Sequence, residues 1–137
     1  MAIQVKLNRT EKMQFVAGSE NGPAIVMDST DGRSGPTPME LLLMGVAGCT
    51  GIDIVLILQK KRLELNKLEI RISGEQADKY PKRFTKIHIE YLLAGKNIPS
   101  KAVEQAIKLS EEKYCSASAS LNAEFTHSYR IENQEPS

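Results

Sequence analysis

Apolar and polar residues alternate over the first 30 positions of the chain: Ile3, Val5 and Leu7, then Met13, Phe15 and Ala17, with Ala24 to Met27 as a short apolar run. A period of two predicts β-strands. The stretch Gly18-Ser-Glu-Asn-Gly22 between them predicts a turn. Residues 1–36 therefore read as a β-meander of three antiparallel strands, ending in a polar loop, DSTDGRSGP, over 28–36. The alternation then stops. Residues 37–62, TPMELLLMGVAGCTGIDIVLILQKKR, are apolar nearly all the way round. Thr37 suits an N-cap, Pro38 the first helical position, and Glu40 falls three residues after the cap. Lys60, Lys61 and Arg62 suit a helix C-terminus. This predicts one long central helix, and a helix apolar on every side needs covering on every side.

Alternation returns after residue 66. Leu68, Ile70 and Ile72 alternate with Glu69, Arg71 and Ser73, and after a charged loop with Pro81, Ile87, Ile89 and Tyr91 alternate with Lys86, His88 and Glu90. Such strands have one face on a core and one face wet. Helical spacing follows from Ser100 to Tyr114, with Val103, Ala106, Ile107, Ser110 and Tyr114 on one stripe. Small residues from Cys115 to Leu121 suit a short further helix. A last strand runs over 123–131, with Phe125, Tyr129 and Ile131 on one side, and the tail from Glu132 to Ser137 reads as frayed. The order βββ-α-ββ-α-(α)-β, with ββ-α-(α)-β over 66–131, is an α+β arrangement of antiparallel sheets around the long helix, in a single domain over 1–137.

Glycines at 45, 48 and 51 leave a stripe of little bulk on the long helix. Two explanations compete: close packing within one chain, or a homodimer in which two copies of the helix meet.

Composition adds exclusions. Net charge is +1, Trp is absent and aromatics make up 5% of the chain, which argues against a nucleic-acid surface. The N-terminus has no apolar core of signal-peptide length, so a cytoplasmic setting is expected. The run from Leu41 to Leu58 approaches transmembrane length, but Asp53 inside it argues against a membrane span.

Two cysteines, Cys49 and Cys115, carry the candidate chemistry. Neither belongs to a C-x-x-C motif, so zinc-ribbon ligation and thioredoxin-type exchange are unsupported, and buried structural thiols are the default reading. Two features favour function: Cys49 sits in a window of small residues, and Cys115 sits where one helix pattern gives way to another. Asp53, four residues after Cys49, shares its helical face and needs a partner, which is expected at the dimer interface. As a bare negative neighbour it would disfavour a thiolate. Thr50 suits packing, and Tyr114 suits closing the second helix against the core. His88 reads as a surface residue and His127 as a satisfied core histidine. No metal site is expected, because the Cys and His spacings fit no recurrent pattern.

At this point the sequence resembles a known family. P-x-E-L-L followed by G-C-T-G-I-D in one long helix, with E-K-Y-C-S near the end, resembles the OsmC/Ohr superfamily of thiol-dependent hydroperoxide reductases. The resemblance covers nearly the whole chain. It implies an intertwined homodimer with the two cysteines at its interface. It implies a cysteine-based peroxidase for organic or lipid hydroperoxides, serving oxidative-stress defence. Cys49 would be the attacking thiol and Cys115 the resolving one, with no bound cofactor and an external, lipoyl-type dithiol as reductant. In the Ohr branch a glutamate directly follows the helix-starting proline and holds an arginine at the thiolate. Here that position is Met39, and Glu40 lies about 100° further round the helix. Glu40 is thus a supporting site residue or simply the capping partner of Thr37. Arg33 and Arg9 are the candidate arginines, each with a surface-charge alternative. A non-catalytic member that binds a small hydrophobic or thiol-reactive ligand is the competing expectation, and a redox sensor the third.

Overall fold

The computed structural model describes residues 2–20 and 22–133. The end of the tail, Gln134 to Ser137, lies outside them, as does Asn21 in the first turn. By compactness the chain divides into two units, 1–42 and 43–137, with the boundary inside the long helix.

The first unit holds β1 (Val5–Glu11), β2 (Gln14–Ser19) and β3 (Ala24–Met27), paired antiparallel in sequence order as the meander predicted. Leu7, Ala17 and Ile25 stand side by side across the sheet. Leu7 and Ile25 stay exposed, as does Val5. The loop after β3 is organised by Asp28. Its carboxylate accepts from the Ser29 amide at 2.6 Å and from the Ser34 amide and hydroxyl, and these bonds hold its pKa below the usual value.

Helix α1 spans Pro38–Lys60. It opens with the predicted capping box: the Thr37 amide donates to Glu40 Oε1 at 3.0 Å and the Glu40 amide donates to Thr37 Oγ1 at 3.2 Å. It stops at Lys60, two residues before the predicted end, where Arg62 takes a positive φ of 59°. The expectation that α1 is covered on every side fails within this chain. Only the stripe Val46, Thr50, Ile54 and Leu58, spaced by four, is fully buried. Met44, Ile52 and Leu56 are 50%, 64% and 52% exposed.

The second unit holds β4 (Glu64–Gln76), β5 (Phe84–Lys96) and β6 (Glu124–Asn133), with β5 central. β4 and β5 pair antiparallel as expected, but β6 runs parallel to β5. The sheet is therefore mixed, not antiparallel throughout. The reason was in the spacing: a helix intervenes between these strands, and a helical crossover returns the chain in the same direction. β6 continues through Glu132 and Asn133, so those two residues are not frayed. The Asn133 side chain accepts from the Ile98 amide at 2.8 Å.

The inward face of β5, with Ile87, Ile89, Tyr91 and Leu93, is buried together with Val103, Ala106 and Ile107 of α2 (Ser100–Leu109). Helix α1 lies over the same sheet, where Gly51 faces Ile70 of β4. α2 ends at Leu109, earlier than the expected Tyr114. Residues Ser110–Tyr114 form one π-helical turn, closed by the Cys115 amide donating to the Ser110 carbonyl at 2.7 Å. A four-residue helix, α3 (Ser116–Ala119), follows. α1 is long and apolar enough to cross a membrane by length and composition. A carboxylate at its middle, bonded within the chain, opposes that reading.

Candidate functional site

Cys49 is partly exposed on α1, and Cys115 is buried at the junction of the π turn and α3. Both are free thiols. The fold makes them neighbours. The Cys115 thiol is raised above its ordinary pKa, first by burial, with hydrogen bonding and charge from Cys49 adding to the effect. The Ser118 amide works in the opposite direction, donating to Cys115 Sγ at 3.4 Å.

Polar groups flank the pair. Ser110 Oγ donates to Asp53 Oδ2 at 2.9 Å, so Asp53 finds its partner inside the chain. Thr50, next to Cys49, is fully buried and donates to the Ala47 carbonyl at 3.2 Å. Tyr91 donates to Glu111 Oε1 at 3.2 Å. The other oxygen, Glu111 Oε2, lies 3.1 Å from His127 Nδ1. Burial and the Glu111 charge push the Tyr91 hydroxyl well above the usual tyrosine range, so it remains a donor. Among the described residues no buried side-chain nitrogen or oxygen lacks a partner.

Other expected site residues are engaged elsewhere. Glu40 is committed to the capping box, and its pKa is lowered by the Thr37 amide, then the Thr37 hydroxyl, with the Arg33 charge a further contribution. Arg33 Nε donates to the Thr30 carbonyl at 3.2 Å, with Arg33 itself at a positive φ of 56°. Arg9 Nε donates to the Lys12 carbonyl. Arg9, Arg33 and Glu40 are all exposed and belong to the first unit. His88 is on the open face of its strand, between Thr126 Oγ1 at 2.7 Å and Ser128 Oγ at 3.1 Å. His127 is satisfied, but it is exposed and not a core residue. Tyr114 does not close the helix on the core. It is half exposed, with the Lys113 ammonium 5.3 Å from its ring centre. Among the described residues no group of three His, Cys, Asp or Glu is arranged to hold a metal.

A family model described as OsmC-like protein matches residues 30–130. The chain belongs to the OsmC-like family. Protein YhfA of Escherichia coli K12 is 36% identical over 131 residues, covering 94% of this chain and 98% of YhfA. The crystal structure of a hypothetical protein from Aquifex aeolicus VF5 is 33% identical, with a TM-score of 0.81 over 97% of this chain and 99% of that one. The organic hydroperoxide resistance protein OhrB of Bacillus subtilis is 14% identical, with a TM-score of 0.63 over 95% and 98%, a likeness of fold alone. The two three-stranded sheets and long helix are thus those of an OsmC-like protein, and the α+β expectation holds.

This OsmC-like chain has a groove of about 390 Å³ lined by Asp53, Leu56, Ile57, Lys60, Lys61, Leu109 and Tyr114, with neither cysteine in its wall. The sequence reading missed Tyr91, Ser110 and Glu111 as parts of the site. The signal for Tyr91 was present: a tyrosine at an inward position of an alternating strand brings a hydroxyl that must find a partner.

Proposed function

We propose that this OsmC-like protein is a thiol-dependent peroxidase that reduces organic hydroperoxides to alcohols. The observation that carries the reading is the pairing of a partly exposed Cys49 with a buried Cys115 in the second unit. The Cys49 thiolate attacks the distal oxygen of ROOH. The O–O bond breaks, the alkoxide takes a proton and leaves as ROH, and Cys49 becomes a sulfenic acid. Cys115 then attacks that sulfur. A Cys49–Cys115 disulfide forms and water leaves. An external dithiol of the lipoyl class returns both thiols and is itself oxidised to a disulfide. The family supports this chemistry, and OhrB carries organic hydroperoxide resistance in its name.

The working unit in this proposal is a cytoplasmic homodimer. Met44, Ile52 and Leu56 on α1 are open, and a Cβ added at Gly45 or Gly48 meets nothing within 4 Å. Packing within the chain thus leaves those two glycines unexplained, and a second copy of the helix accounts for them.

One observation favours a second reading, a binding protein for small hydrophobic or thiol-reactive molecules. Both candidate arginines and Glu40 already hold partners in the first unit, while a largely apolar groove is lined by Asp53, four residues after Cys49, and by Tyr114, next to Cys115. A single-turnover reaction with a bulky organic hydroperoxide, followed by thiol titration and intact mass, separates the two. Peroxidase chemistry gives rapid loss of both thiols, a trapped sulfenic acid in Cys115→Ser and no reaction in Cys49→Ser. Thiols that persist no less than free cysteine refute it and leave the binding reading.

A further inference from the structure

Consecutive residues at the start of the π turn reach in two directions. Ser110 is bonded to Asp53 on α1, one helical turn beyond Cys49. Glu111 is bonded through one oxygen to Tyr91 on β5 and through the other to His127 on β6. The two sheet residues share a face and meet edge to face, with ring centres 6.5 Å apart. The π turn is the segment that delivers Cys115, whose amide closes it. Ser110 thereby ties the turn to the cysteine-bearing α1, and Glu111 ties it to the sheet. A π turn has poorer intrinsic geometry than an α turn and persists where its surroundings hold it.

We propose that Ser110 and Glu111, with their anchors Asp53 and Tyr91, are positioning residues that pin the π turn and so set the approach of Cys115 to Cys49. The proposal deepens the thiol-pair reading above and rests on it for its redox consequence. Pinning raises the effective concentration of one thiol at the other, so the disulfide is favoured at a given poise. The relevant exchange is balanced: the dithiol protein and oxidised glutathione give the protein disulfide and two glutathione thiols.

The test has two arms. In the first, the full chain and its Ser110→Ala, Glu111→Ala and Glu111→Gln variants are equilibrated in glutathione buffers of graded ratio, with circular dichroism confirming the fold. Loss of one such hydrogen bond is expected to shift the equilibrium about tenfold toward the dithiol in Ser110→Ala and Glu111→Ala. Glu111→Gln keeps an acceptor for Tyr91 and stays near wild type. In the second arm Cys49 is replaced by Ser, and the alkylation rate of Cys115 by iodoacetamide is followed in the same variants. Faster alkylation in Ser110→Ala and Glu111→Ala, with rescue in Glu111→Gln, supports the pinning without reference to the disulfide. Wild-type equilibria and alkylation rates in both alanine variants would overturn it. A wild-type chain that forms no disulfide defeats the thiol-pair reading instead, and the alkylation arm then decides the pinning on its own. If Glu111→Ala does not fold, Asp53→Asn paired with Ser110→Ala carries the comparison.

Discussion

The long helix has one face buried by its own chain and one open, and a pair of substitutions separates their roles. Ile54 is fully buried and Ile52 is 64% exposed. Burying an Ile side chain completely is worth up to about 3 kcal/mol. With roughly two thirds of that still to be gained at Ile52, a covering copy would gain about 1–1.5 kcal/mol from it that Ile52→Ala removes. A two-fold interface counts each residue twice, so the loss is about 2–3 kcal/mol, or roughly 30- to 150-fold in the dimer dissociation constant. Ile54→Ala instead opens a cavity inside the chain and costs about 2–5 kcal/mol of folding stability. Sedimentation equilibrium over a range of concentrations, with denaturant melts at a low and a high concentration, reads both quantities. Ile52→Ala is expected to weaken association with little change in the stability of the separated chain. A wild type that is monomeric at every concentration, or a dimer indifferent to Ile52→Ala, refutes the assignment of this face to a second copy.

Two further outcomes follow from the packing and from the buried thiol. A Cβ at Gly74 would stand 2.6 Å from Phe84 ring carbons, so Gly74→Ala overpacks the sheet and should cost about 1–3 kcal/mol in denaturant melts. Gly48→Ala meets nothing in the chain and should leave the separated chain as stable or more so. The raised pKa of Cys115 gives a pH dependence of definite sign. The unfolded thiol releases its proton near its ordinary value of about 8.5, while the folded one still holds it. This contribution to stability is therefore complete below about pH 8.5 and is lost as pH rises through the folded pKa. Melts across alkaline pH should show the decline in the wild type and less of it in Cys115→Ser.

Element types were legible because the periods were clean. The alternation of Ile87, Ile89 and Tyr91 is the observed inward face of β5, and the Thr37–Glu40 box sits where the helix starts. What escaped was set by tertiary partners. Nothing local marks Ser110–Tyr114 as a π turn, since the stripe Val103, Ala106, Ile107, Ser110 continues unbroken to it. Glu111 falls on the charged side of a helical projection, and only the wider turn swings it to Tyr91 and His127. Arg9 and Arg33 were legible only by family analogy. An arginine sought as a thiolate partner by family analogy proved to hold a nearby backbone carbonyl, a use that sequence does not distinguish. The two cysteines were legible as candidates, but their nearness is a tertiary contact that no local spacing marks.

The unequal burial of the two thiols suits the unequal parts they take in the proposed cycle. The attacking sulfur must meet a peroxide arriving from outside, and Cys49 is the more exposed of the two. The resolving sulfur has a different requirement. It must not compete for peroxide, and it must reach the Cys49 sulfur, where its thiolate attacks while the departing hydroxyl takes up a proton and leaves as water. Burial disfavours the Cys115 thiolate, which meets the first condition. The Ser118 amide at its sulfur favours the charge that develops as the S–S bond forms, against the opposing effects of burial and of Cys49. On this reasoning a Cys115 moved into solvent would resolve less selectively, even with its reactivity as a free thiol increased. The pinned π turn is what keeps it buried and within reach at once.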